Sequence, residues 1–140
     1  MIAYLDTSSL VKLYVEEEGS ADVADIVEKS HVVATSMIAY AEARAAFSRR
    51  LRERAITGEG YKKLVSFFDK DWDRILQIKI TEELVRHAGA LTEKHGLRGF
   101  DAIHLSSSLI LKSKVKSPVL FSCYDEKLQK ASLLEKLVQP

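Results

Sequence analysis

The apolar positions of this chain change period repeatedly, and each change marks an element. Ile2-Ala3-Tyr4-Leu5 is an apolar run too short for a helix; it stops at Asp6 and reads as a buried strand. Leu10, Leu13 and Tyr14 then share a helical face, which predicts a short helix to about Glu17, capped by Ser8 or Ser9 and broken by Gly19. Ser20 caps a second helix with Val23, Ile26 and Val27 as its stripe, and His31 to Ala34 supplies a β-branched second strand. Thr35 or Ser36 caps a long helix from about Met37 to Arg54, Thr57 to Gly60 is a break, and Tyr61 to about Trp72 is helical, with Leu64, Val65, Phe67 and Phe68 apolar. Ile75 to Ile80 alternates as a third strand would. Thr81 caps a helix that Gly96 ends, with Glu82 and Glu83 favoured in its first turn. Gly99 precedes a helix from about Asp101 to Lys112, Pro118 opens a fourth strand over Val119 to Phe121, and Asp125 begins a last short helix. Leu137-Val138 is a candidate fifth, edge strand.

Strands alternating with helices predict an α/β fold, a parallel sheet with helices on both faces. Such sheets bind ligands just outside the carboxyl ends of their strands. No repeat, low-complexity tract or Pro/Gly-rich linker interrupts the pattern, so residues 1–140 are expected to form a single domain. A chain of 140 residues buries roughly two-thirds of its unfolded surface and needs no staple.

Composition narrows the function classes modestly. The net charge of +1 excludes a uniformly basic domain, so any nucleic-acid surface must be local. The one cysteine, Cys123, cannot form an intrachain disulfide, which fits a reducing cytoplasm. The opening MIAYLDTSS is not a signal peptide, and no apolar stretch approaches the roughly 20 residues of a membrane helix. A cytoplasmic location is expected.

Four acids carry the candidate chemistry. Asp6 follows the first strand directly, Asp125 lies just past the fourth, and Asp101 sits in the first turn of a helix. Strand ends and the helix starts after them share one rim, so topology alone gathers these three. Each also has an ordinary role, as a turn residue, an N-cap or a first-turn acid. Glu42 lies inside the long third helix with Ile38, Ala45 and Ala46 on its face. A carboxylate on such a stripe is costly unless paired or metal-bound; Arg49, on the same side, is one available partner. Carboxylates that share a site repel, and with no obvious basic partner a divalent cation is the simplest compensation. All-oxygen ligands suit Mg²⁺ or Mn²⁺ better than zinc. His31, His87, His95 and His104 show no zinc spacing, and His104, three residues after Asp101, reads as a packed, hydrogen-bonded residue.

At these residues the chain resembles the PIN-domain family, and within it the VapC-type toxins. YLDTSSLVKLY is similar to the family's first motif, with Asp6 as its acid; SMIAYAEARAAF to the second, with Glu42; RGFDAIHLSSSLIL to the third, with Asp101; and LFSCYDEKLQKAS to the fourth, with Asp125. The resemblance spans nearly the whole chain. Where many relatives have Ser or Thr two residues before the last acid, this chain has Cys123, expected to be a small buried residue.

The resemblance implies a three-layer α/β/α PIN-like fold with a central parallel sheet of four to five strands and about seven helices. It implies a metal-dependent endoribonuclease, the toxin of a type II toxin–antitoxin pair, that hydrolyses RNA to 5′-phosphate and 3′-hydroxyl ends. Asp6, Glu42, Asp101 and Asp125 would hold one or two Mg²⁺ or Mn²⁺ ions. Arg44, Arg49 and Arg98 are the candidate RNA contacts. A homodimer and a VapB-type antitoxin are implied, with Leu13, Tyr14, Val65 and Phe68 able to serve either the antitoxin or the core. A haloacid-dehalogenase-type phosphohydrolase would want a second Asp where Ser8 stands. A non-catalytic scaffold would lack the acids, and a DNA nuclease could use the same site.

Overall fold

The computed structural model describes all residues from Met1 to Pro140. Its four strands are β1 (Ile2–Leu5), β2 (Val32–Ser36), β3 (Leu76–Ile78) and β4 (Val119–Ser122), and they form one wholly parallel sheet in the order β3-β2-β1-β4. Its seven helices are α1 (Thr7–Val11), α2 (Ser20–Glu28), α3 (Ala39–Arg52), α4 (Gly58–Trp72), α5 (Glu82–His95), α6 (Gly99–Lys114) and α7 (Glu126–Leu134). The expected three-layer α/β/α arrangement is present.

Every residue of β1 is buried, because successive side chains of a central parallel strand enter opposite layers. Ile2 and Tyr4 join the core built on α5, α6 and α7, with Leu91, Leu105 and Leu128. Ala3 and Leu5 join the other, with Leu10, Val23, Phe47 and Phe68 from α1 to α4. An aromatic group of Tyr14, Tyr40, Phe47, Phe68 and Trp72 fills that second layer.

Several local expectations shift. The first helix stops at Val11 rather than near Glu17, and its cap is Asp6, whose side chain accepts from Ser9 N. Ser8 and Ser9 do not cap, because their hydroxyls are committed to Asp6 and to Ser122. Gly19, with φ of +92°, is the cap position of α2, and Ser20 is that helix's first residue. Thr57 caps α4, so the helix begins within the expected break. The fifth strand is a single bridge from Leu120 to Val138.

The strand order places the candidate chemistry. From β1 the chain moves outward through β2 to β3, then returns to set β4 on the other side of β1. The order reverses at β1, and in open α/β sheets the crevice at such a reversal binds ligands. Asp6 ends β1 and Asp125 follows β4 at that crevice.

Candidate active site

All four acids line one pocket of about 290 Å³, together with Thr7, Ser8, Arg98, His104 and Tyr124. Asp6 arrives on the end of β1, Asp125 on the end of β4, Glu42 in the first turn of α3 and Asp101 in the first turn of α6.

Asp6 and Asp125 do two things at once. Asp6 Oδ1 accepts from Ser8 Oγ (2.7 Å) and Ser9 N (2.9 Å), while Oδ2 takes no hydrogen bond from the protein. Asp125 Oδ1 accepts from Leu128 N at 2.9 Å and caps α7. Each cap uses one oxygen and leaves the other for the pocket. Asp6 is only 4% exposed. Burial pushes its carboxyl above the usual range and Asp101 adds to this, against the lowering effects of His104, Ser8 and Ser9.

Glu42 is held rather than loose. Its Oε1 accepts from Thr7 Oγ1 at 2.6 Å and lies 2.9 Å from His104 Nε2. Burial alone would raise its carboxyl, but the His104 and Thr7 hydrogen bonds and the charge of His104 outweigh that and hold it below the usual value. His104 is buried, 2.8 Å through Nδ1 from Tyr4 Oη and 3.1 Å through Nε2 from Thr7 Oγ1. It is the packed, hydrogen-bonded residue the sequence suggests, and Arg49 is not the partner of Glu42.

Basic partners are present, contrary to the expectation from sequence. Arg98 Nε donates to Asp101 Oδ2 at 3.1 Å, and Arg98 Nη2 lies 3.9 Å from Asp125 Oδ2. The sequence hides this because it shows only that Arg98 precedes Asp101; its reach to Asp125 depends on β4 lying beside β1. With Arg98 on Asp101 and Glu42 turned onto Thr7 and His104, no three of the acids converge into a metal-ligand group in this conformation.

The donor chemistry nevertheless fits a hard divalent cation. The four acids offer only oxygen donors to one pocket, Asp6 Oδ2 takes no hydrogen bond from the protein, and the lining contains no thiol. Cys123 lies outside this pocket, buried, with Sγ 3.8 Å from Asp125 O; burial foremost, then Asp6, pushes its thiol up to about 12.

The three candidate arginines separate. Arg98 lines the pocket. Arg49 lines an adjoining cavity of about 510 Å³ that shares Thr7 and Ser8 with it. Arg44 lies between α3 and α4, donating to Tyr40 Oη (2.9 Å) and Tyr61 Oη (3.4 Å), and is not part of the pocket. Sequence reasoning missed Tyr4, Thr7 and Tyr124. Thr7 beside Asp6 was the available signal; Tyr4 gave none, since it reads as core.

The chain matches the family model described as PIN domain over residues 3–133. It is 32% identical over 108 residues to Ribonuclease VapC45 and to Ribonuclease VapC49, from two strains of Mycobacterium tuberculosis, covering 77% of this chain and 75% of each relative. Among solved structures, FitAcB from Neisseria gonorrhoeae superposes with a TM-score of 0.68 at 16% identity, covering 99% of this chain and 96% of that one. The VapBC2 complex from Rickettsia felis, bound to a DNA fragment from its promoter, gives 0.66 at 16% identity, covering 100% and 98%. At such identities the structural likeness concerns the fold.

Proposed function

Because the chain belongs to the PIN-domain family, among its VapC-type members, we propose that it is a Mg²⁺- or Mn²⁺-dependent endoribonuclease and the toxin of a toxin–antitoxin pair. The observation that carries this reading is that Asp6, Glu42, Asp101 and Asp125 all line one pocket at the strand-order reversal.

An acidic pocket by itself repels a phosphodiester. Asp6, through Oδ2, with Asp101, Glu42 and Asp125 would hold the ion. The chemistry such an ion would supply is activation of water for attack and an offset to charge on the phosphoryl oxygens. The chain's own residues supply placement. Ser8 and Ser9 fix the Asp6 carboxylate, and Thr7 with His104 fixes Glu42. Arg98 and Arg49 stand beside the pocket where an RNA backbone would pass, and cations there draw phosphate in.

We assign the partners from the family reading: a VapB-type antitoxin and a second copy of this chain. Phe68 is core and so is not free for the antitoxin, whereas Tyr14, packed against Phe47 and Phe68, is partly exposed. Leu13 and Val65 are partly exposed, and Phe67 on α4 is exposed. Exposed Val85 and Phe100 line a cavity of about 680 Å³ between α5 and α6 whose lining extends to Glu42, Arg98 and Asp101, and we assign this face to the second copy. No helix is long and apolar enough to cross a membrane.

The deciding experiment is RNA cleavage by purified protein with Mg²⁺ or Mn²⁺, with chelator, and with Asp101→Ala. Metal-dependent cutting that the substitution abolishes is expected. Full activity in chelator, or cutting that survives Asp101→Ala, overturns the reading. Light scattering at micromolar concentration tests the dimer, and a monomer there counts against it.

A further inference from the structure

A buried chain of side chains leads from the core to Glu42. It starts at Tyr4 on β1, passes through His104 on α6, and ends at Glu42 on α3 with Thr7 of α1 alongside. These residues lie as much as 100 positions apart in sequence, so the chain forms only in the folded protein. We propose that His104 is a positioning residue that carries a proton on Nε2 and uses it to fix the Glu42 carboxylate for the active site, with Tyr4 holding the ring in place through Nδ1.

The direction of each hydrogen bond follows from what each atom can do. Thr7 Oγ1 spends its proton on Glu42 Oε1, at 2.6 Å. Its oxygen can then only accept from His104 Nε2 at 3.1 Å, and the Glu42 carboxylate, held ionised, also only accepts, at 2.9 Å. Both neighbours of Nε2 are therefore acceptors, and Nε2 must donate.

At the other end of the ring, Tyr4 is completely buried with its hydroxyl 2.8 Å from His104 Nδ1, and the Ser107 hydroxyl and Ser36 backbone also bear on that hydroxyl. Burial, helped by the nearby charges of Asp6 and Glu42, keeps the phenol protonated. The phenol thus anchors the ring through Nδ1 while Nε2 faces the carboxylate. A histidine ring is commonly oriented by whatever its second nitrogen bonds; here the ring in turn orients a carboxylate. The Tyr4 ring is itself stacked on Phe121 with centroids 5.4 Å apart, which holds the start of the chain rigid.

This inference rests on the nuclease reading for its functional consequence but not for its geometry. Groups that orient metal ligands are worth 10- to 100-fold in affinity or activity. Three variants and the wild type test it. His104→Leu keeps bulk but removes both nitrogens; His104→Gln restores an N–H near the place of Nε2; Tyr4→Phe removes only the lock. Circular dichroism and thermal melting first establish that each is folded. Mn²⁺ affinity by calorimetry, kcat and KM for RNA, and ¹⁵N NMR of the His104 ring are then measured.

The expected result is a ring proton on Nε2 in the wild type. His104→Leu is expected to lose at least about tenfold in Mn²⁺ affinity and in kcat with KM little changed. His104→Gln should recover most of that loss, and Tyr4→Phe should show a smaller one. A wild type without a proton on Nε2 overturns the proposal even if His104→Leu fails to fold. So does a folded His104→Leu with undiminished Mn²⁺ affinity, or a folded His104→Gln as impaired as His104→Leu. A wild type that has the Nε2 proton and loses Mn²⁺ on His104→Leu, yet cuts no RNA, supports this inference and sinks the nuclease reading.

Discussion

Arg98 donates through Nε to Asp101 Oδ2 at 3.1 Å and stands as the cation of an otherwise acidic pocket. Its guanidinium also lies 3.9 Å from Asp125, so one side chain, 81% exposed, offsets two acids. A divalent ion between those acids would compete with it. Arg98→Ala is therefore expected to destabilise the metal-free protein slightly, within the ~0–1 kcal/mol of exposed ion pairs. The same variant should enlarge the rise in melting temperature on adding Mn²⁺. Melting curves with and without Mn²⁺ check this; an unchanged metal response would mean that Arg98 and the ion do not share a place.

Asp6 gives a stability prediction of definite sign. Burial, foremost, raises its carboxyl pKa in the folded state. Such a group contributes stability that is fully present below the unfolded pKa and is lost as pH rises through the folded one. At neutral pH the buried carboxylate is thus a net cost. Asp6→Asn can still accept from Ser8 and Ser9, and should melt higher than wild type at neutral pH in chelator. That gain should shrink as the pH is lowered into the carboxylate range. A variant less stable than wild type at neutral pH would show that the carboxylate's hydrogen bonds outweigh its burial.

Gly19 and Tyr124 fit each other. The backbone at Gly19 has φ of +92°, and a Cβ there would fall 2.7 Å from Tyr124 Oη and 2.8 Å from its ring. Lys12 lies over the same ring, 4.3 Å from the centroid, and Tyr124 Oη donates to Gly19 O at 3.3 Å. Gly19→Ala combines backbone strain with overpacking and should cost about 1–3 kcal/mol in urea unfolding. Adding Tyr124→Ala should return the steric part and leave the backbone part. Strict additivity of the two changes would contradict the contact.

Cys123 should be chemically quiet. Its thiol is buried and pushed up to about 12, chiefly by burial, and only the thiolate is an effective nucleophile. Ellman's reagent at pH 8 should label native protein far more slowly than protein unfolded in urea. Rapid native labelling would contradict the burial of this side chain.

The periodicity of the chain alone determined the α/β class, the positions of all four strands to within a few residues, and the rim on which Asp6, Asp101 and Asp125 lie. Those signals are local: an apolar run, a stripe at helical spacing, an acid at a strand end. Even Glu42 stood out locally, as a charge on an apolar stripe. Cap assignments were less legible, because Ser8, Ser9 and Asp6 are equally plausible caps until the hydroxyl of Ser9 is seen to belong to Ser122 on β4. Only the tertiary structure decided what compensates the acids. The strand order sets β4 beside β1 and so brings Asp125 to Arg98; the packing of α6 over the sheet brings His104 to Tyr4 and Glu42. The sequence carries no short-range trace of those contacts, because charge pairing and hydrogen bonding act over a few ångströms in space whatever the separation along the chain.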